Sequence, residues 1–200
     1  ITKPHIHTIE EMRKQQIEAE HINFDRYDIE WNKQPFELNG LHGKLRGHLI
    51  INKESEKDQN ARRYVSIICH GHTVNHVSSI KYGMIFYDLG FDVIIYDHGY
   101  HGESEGEFTT LGNYERYDLS KVIDYARLKF GKDCILALHG ESMGAVTVLT
   151  ELGLRSDINL VVADCPFGNT FNYLSELFRQ KTKLPSFPII QMIRLLAKIL

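Results

Sequence analysis

At 200 residues, 42% of them hydrophobic and 24% charged, the chain can build one sizeable core, and its composition excludes a fibrous or disordered protein. Its 23 Lys and Arg balance 26 Asp and Glu to a formal charge of −3, and no basic stripe interleaved with aromatics is present, so a nucleic-acid partner is not expected. Cys69, Cys134 and Cys165 are an odd number without zinc-ligand spacing, which fits buried free thiols in a reducing compartment rather than a disulfide framework.

In chain order, residues 1 to about 22 are polar and helix-favouring, with Ile9, Met12, Gln16 and Ala19 near one face, which predicts a docked N-terminal helix. Phe36–Leu38 and Lys44–Ile51 flank Asn39-Gly40, a turn pair that predicts two leading antiparallel strands. Glu54–Arg63 reads as a charged surface connection. The chain then alternates. Strands are expected at Tyr64–Cys69, Val93–Tyr96, Ile135–His139 and Leu160–Ala163, and helices at Ile80–Leu89, Tyr114–Phe130 and Ala145–Leu152. Short Val/Ile/Leu runs separated by helices mark an α/β protein with a mostly parallel sheet covered on both faces, and in such a sheet the loops at the carboxyl ends of the strands carry the chemistry.

After Pro166 the pattern changes. Asn169–Lys181 is helical in character, Pro185 and Pro188 interrupt it, and Ile189–Leu200 is apolar; a helix packed on the domain is expected there, since the segment is too short to span a bilayer. The expected organisation is an N-terminal helical extension over 1–33, an α/β core over 34–168, and incomplete cap or lid helices over 169–200. With no bilayer-length apolar run and no visible signal peptide, a cytoplasmic location is expected. Because the first residue is Ile1 and not Met, a removed leader or anchor stays open as an alternative.

Ser142 stands at the centre of Gly140-Glu141-Ser142-Met143-Gly144, directly after the apolar run Ile135–His139. Pushing a nucleophilic serine out of a sheet needs a tight strand-to-helix turn, and Gly140 and Gly144 remove the side chains that would obstruct it. Acyl transfer also needs two N–H donors aimed at the developing oxyanion. One is expected from Met143, after the nucleophile, and the second from the backbone of His72 in His70-Gly71-His72-Thr73, at the end of the strand closing at Cys69. The loop Asp97-His98-Gly99-Tyr100-His101-Gly102-Glu103-Ser104 invites a metal reading with Asp97, His98 and His101 as ligands. Structural hydrogen bonding by Asp97 and Ser104 is the preferred reading, so neither metal nor cofactor is expected. Asp164, before Cys165 and Pro166, has three readings: it orients a histidine, caps the next helix, or binds loop amides.

Taken together, His70–Thr73, Asp97–Ser104, Gly140–Gly144 and Ala163–Pro166 resemble the α/β-hydrolase fold of serine hydrolases, especially the bacterial esterase and serine-aminopeptidase-like branch, over roughly Tyr64 to Phe167. Gly99 stands where that family usually carries Arg. The resemblance implies a hydrolase of esters, thioesters or amides acting through an acyl-enzyme on Ser142. It also implies cap helices after Pro166 and two further strands bearing the usual acid and histidine. No histidine follows His139. The expectation is therefore an N-terminal portion of a longer enzyme, inactive or impaired by itself, rather than one in which His72, His98 or His101 has become the base. A small acyl substrate is the expected partner, with a complementing C-terminal segment or a swapped dimer as a further one. The alternative is a non-catalytic fold remnant or small-molecule binding module.

Overall fold

The computed structural model describes residues 3–55, 57, 61–185 and 187–196. Parts of the expected 54–63 connection, and of the apolar tail beyond residue 196, lie outside the described residues.

Six strands form one sheet: β1 (Asn32–Asn39), β2 (Lys44–Ile51), β3 (Tyr64–Cys69), β4 (Asp92–Tyr96), β5 (Ile135–Glu141) and β6 (Leu160–Asp164). Their spatial order is β1-β2-β4-β3-β5-β6. The β1–β2 and β2–β4 pairs are antiparallel, whereas β3–β4, β3–β5 and β5–β6 are parallel. The leading hairpin differs from a two-residue turn. Its last pair is Asn39 with Lys44, and the intervening residues close through the Gly40 N–H to the Gly43 carbonyl at 2.9 Å.

Four helices accompany this sheet: α1 (Ile9–Glu20), α2 (His76–Asp88), α3 (Glu115–Phe130) and α4 (Met143–Leu152). Thr8 and Glu11 make a reciprocal capping box that fixes the start of α1, satisfying two amides that a helix start otherwise leaves bare. α2 starts earlier than its apolar pattern indicated, because the Asn75 side chain accepts from the Val77 N–H and caps it there. A π-helical turn at Arg26–Glu30 was not foreseen; Tyr27 within it and Trp31 after it are buried.

Successive strand residues face opposite sides of a sheet, so β3 and β4 feed two cores at once. Ile67 and Ile94 join Leu119, Ile123, Leu136 and Val148 on one side, while Ile68 and Ile95 join Met12, Trp31, Val77 and Ile80 on the other. Each fully buried Ile or Leu stabilises by about 1.5–3 kcal/mol relative to exposure. Cys69 and Cys134 are buried free thiols, as expected, and burial pushes the Cys69 thiol up to about 12. Cys165 is instead exposed, since it lies just beyond β6 in a left-handed turn with φ 44°.

Ile1–Pro166 form one compact unit and Phe167–Leu200 a second. In the second, Asn169 caps α5 (Thr170–Thr182) by accepting from the Asn172 N–H, and Phe167 stacks on Tyr173 with ring centroids 4.7 Å apart. A further helix, α6, spans Ile189–Leu196. Among the described residues no helix is long and apolar enough to cross a membrane.

Candidate active site

β5 delivers its last residues into a sharp turn. Ser142 has φ 54° and ψ −110° and directly precedes α4, a conformation an L-residue holds only at a cost of about 1–3 kcal/mol. The flanking glycines make the turn physically possible. A Cβ on Gly140 would meet the Gly144 carbonyl oxygen at 2.2 Å, and one on Gly144 would meet the Cys69 carbonyl oxygen at 2.1 Å. The Ser142 amide is held by the Asp164 carbonyl at 2.9 Å, and the Ser142 carbonyl accepts from Val146 at 3.1 Å. Met143 is the first residue of α4, so its N–H has no acceptor within the helix and sits at the positive end of the helix dipole. The Ser142 side chain is half-buried.

The turn after β3 passes against this elbow. A Cβ on Gly71 would lie 3.7 Å from the Ser142 Cβ and 3.6 Å from the Glu141 carbonyl oxygen. The structure thus brings together Ser142, Met143 and the His70–Thr73 turn, with His72 following Gly71. Beneath Met143, the Thr109 hydroxyl oxygen lies 3.4 Å from its sulfur. Thr109 is held in turn by Glu115, whose buried carboxylate also accepts from the Thr110 and Gly112 amides.

The upstream histidines are engaged in the fold. His70 pairs Nδ1 with the Gly71 carbonyl at 2.7 Å, and its Nε2 accepts from the His98 N–H at 3.0 Å. His98 Nδ1 meets the Tyr96 hydroxyl at 3.2 Å, and His101 Nδ1 meets the Gly99 carbonyl at 3.0 Å. Ring centroids of His70 lie 4.6 Å from His98 and 5.0 Å from His101. Burial lowers the pKa of all three, that of His98 to about 3, so they form a neutral imidazole cluster at the His70–Thr73 turn.

Asp97 turns to other partners than His98 and His101. Its fully buried carboxylate accepts from the His76 N–H at 2.6 Å, from His76 Nδ1 at 2.8 Å and from the Glu103 N–H at 2.8 Å, while Ser104 donates to the Asp97 carbonyl at 2.6 Å. Asp97 and Ser104 therefore pin the loop by hydrogen bonds, as their composition suggested. Among the described residues the converging donor atoms are those of His76, Asp97 and Glu103, within 4.8 Å of one another. Gly99, where the family resemblance placed an arginine, packs against Asp118: a Cβ there would meet Asp118 Oδ2 at 3.1 Å.

Asp164 ends β6 opposite Glu141. Its exposed carboxylate accepts from the Tyr82 hydroxyl at 3.1 Å, and the Tyr82 ring packs on His139 at 4.0 Å. The cap of the following helix is supplied by Asn169 and not by Asp164. Burial raises the pKa of the neighbouring Glu141 and lowers that of His139 to about 4. Sequence reasoning missed Asn75, His76, Tyr82 and Glu115, whose partners are remote loops or strand ends; the N-capping propensity of Asn75 was the one local signal available.

Residues 67–186 match the family described as alpha/beta hydrolase fold. An uncharacterised Bacillus subtilis protein, YqkD, is 35% identical over 186 residues, covering 92% of this chain and 58% of its own length. An esterase of Pyrococcus furiosus superposes with a TM-score of 0.69 at 22% identity, covering 86% of this chain and 64% of that structure. A lidless serine hydrolase of Xanthomonas campestris superposes at 0.51 and 22% identity, covering 61% and 56%. The chain thus spans less than two thirds of each of these three proteins.

Proposed function

This chain belongs to the alpha/beta hydrolase fold family, and on that basis we propose that it acts as a serine hydrolase, opening ester, thioester or amide bonds of a small acyl substrate through an acyl-enzyme on Ser142. The observation that carries the reading is the backbone of Ser142. A non-glycine residue at φ 54° between a parallel strand and a helix is the strained elbow by which this fold exposes a nucleophile. The esterase and serine hydrolase that share the fold are named for the same class of reaction.

In the proposed reaction the Ser142 proton passes to a general base as Oγ bonds to the acyl carbon, and the carbonyl electron pair moves onto oxygen. The Met143 and His72 N–H groups stabilise that oxyanion, each contributing about 2.7–4 kcal/mol. Collapse expels the alcohol, thiol or amine, which takes the proton back from the base, and water then repeats the sequence to release the acid. Asp164 is proposed as the carboxylate that steadies the base. Its support is its place on β6, one hydrogen-bonded strand from the elbow. Residues 169–200 are proposed as the start of the cap helices on their position in the chain.

One observation favours the second reading, a non-catalytic binding module: His70, His98 and His101 are tied into hydrogen bonds with the fold, and a serine without an adjacent base is a poor nucleophile. Short acyl esters offered to the native-length protein separate the two. Hydrolysis abolished by Ser142→Ala supports the enzyme, and a folded protein without turnover supports the module.

A further inference from the structure

The segment Pro4–Thr8 lies across the two loops that flank the site. The His7 N–H donates to the Thr73 carbonyl at 2.9 Å, the Asn75 side-chain amide donates to the His7 carbonyl at 2.9 Å, and the Tyr100 hydroxyl donates to the Pro4 carbonyl at 3.2 Å. Thr73 and Asn75 belong to the turn that carries His72, and Tyr100 to the loop after β4. Both Thr73 and Tyr100 are non-glycine residues in the left-handed region, with φ 69° and 71°. Such conformations persist only where surrounding contacts over-determine them, and the segment supplies a contact to each. It is itself fixed from behind, because α1 buries Met12 to 1% exposure and ties Glu20 to Lys81 at 2.7 Å.

We propose that Pro4–Thr8 is a strap that holds the oxyanion turn in register with Ser142, and that Asn75 and His7 are its positioning residues. The inference rests on the serine-hydrolase reading above. An oxyanion donor acts only when its N–H is held in advance at hydrogen-bond distance from the developing charge, and a misplacement of about 1 Å costs about a hundredfold in rate. Asn75 is suited to set that position. It is fully buried, its Oδ1 caps α2 through the Val77 N–H at 3.1 Å, and its Nδ2 grips the strap, so one side chain couples helix, turn and N-terminal segment.

Two variants of the native-length protein separate positioning from folding. Asn75→Asp keeps an N-cap acceptor of equal quality but sets a carboxylate against the His7 carbonyl. His7→Pro removes the N–H given to Thr73 and leaves the α2 cap untouched. Each is measured by melting temperature, hydrogen exchange at the strap, steady-state hydrolysis, and affinity for a boronic acid that mimics the tetrahedral adduct. The expected result is strap exchange increased and kcat lowered about tenfold or more, with KM within about twofold and boronate affinity falling in parallel. Unchanged kcat and boronate affinity with the strap released would overturn the inference, as would a strap still protected in both variants. The reading it rests on fails separately: wild-type protein without Ser142-dependent turnover removes both, whereas Ser142-dependent turnover with unimpaired variants removes the strap alone.

Discussion

A Cβ on Gly144 would stand 2.1 Å from the Cys69 carbonyl oxygen, so the helix after the elbow rests directly on the end of β3, where the His70–Thr73 turn begins. That contact joins the two halves of the candidate site. Gly144→Ala must push backbone against backbone and is expected to destabilise by about 3 kcal/mol or more. Gly153→Ala is the control. Its φ of −69° suits alanine, its nearest contact would be an ordinary 3.5 Å, and the smaller entropy of the unfolded chain makes it neutral or stabilising by up to about 1 kcal/mol. Urea midpoints of both variants check the difference.

The His76–Asp97 pair makes a second prediction. Burial alone would raise the Asp97 pKa and lower that of His76, but their mutual attraction and hydrogen bond outweigh it, leaving Asp97 lowered and His76 raised. For Asp97 the depressed folded pKa means stability present above the unfolded value of 3.8 and lost as pH falls through the folded one. For His76 the raised folded pKa means stability present below 6.5 and lost as pH rises through the folded one. The pair therefore supports the fold most between these limits. Asp97→Asn is expected to cost about 3–5 kcal/mol near pH 6, with a smaller loss well above the folded His76 pKa, as read from denaturation at both pH values.

His72 is proposed to act through its backbone, so its side chain and its amide must separate in experiment. His72→Ala is expected to keep kcat within about threefold, whereas His72→Pro, which deletes the N–H, is expected to lower it about 10²–10³-fold. Steady-state rates on a short acyl ester, with melting temperatures alongside, check this.

For Asp164 the outcomes divide by role. As the carboxylate orienting a base, it should lose about 10⁴-fold in kcat on conversion to Asn, while Tyr82→Phe, which removes the 3.1 Å hydrogen bond, should change the rate far less. A similar small effect of both variants would reduce Asp164 to a surface partner of Tyr82.

Much of this was legible in the chain because the signals were local. The runs Val65–Cys69 and Val93–Tyr96 are buried on both faces and read as parallel strands with no knowledge of their neighbours. Gly140 and Gly144 announced the elbow through the absence of two side chains. Other features stayed hidden because they depend on residues far apart. The grip of Asn75 on His7 spans 68 positions and that of Tyr82 on Asp164 spans 82, and no periodicity encodes such pairs. β1 begins at the polar Asn32 because its register against β2, not its composition, makes it a strand. Cys165 was expected as a buried free thiol, yet a left-handed backbone turns it outward.

Ser142 is proposed as the nucleophile. Its most direct test is labelling of the native-length protein with a fluorophosphonate, followed by peptide mass mapping. A single stoichiometric adduct on Ser142, absent in Ser142→Ala, is the expected result. A protein that is folded by circular dichroism yet carries no adduct at Ser142 would contradict it.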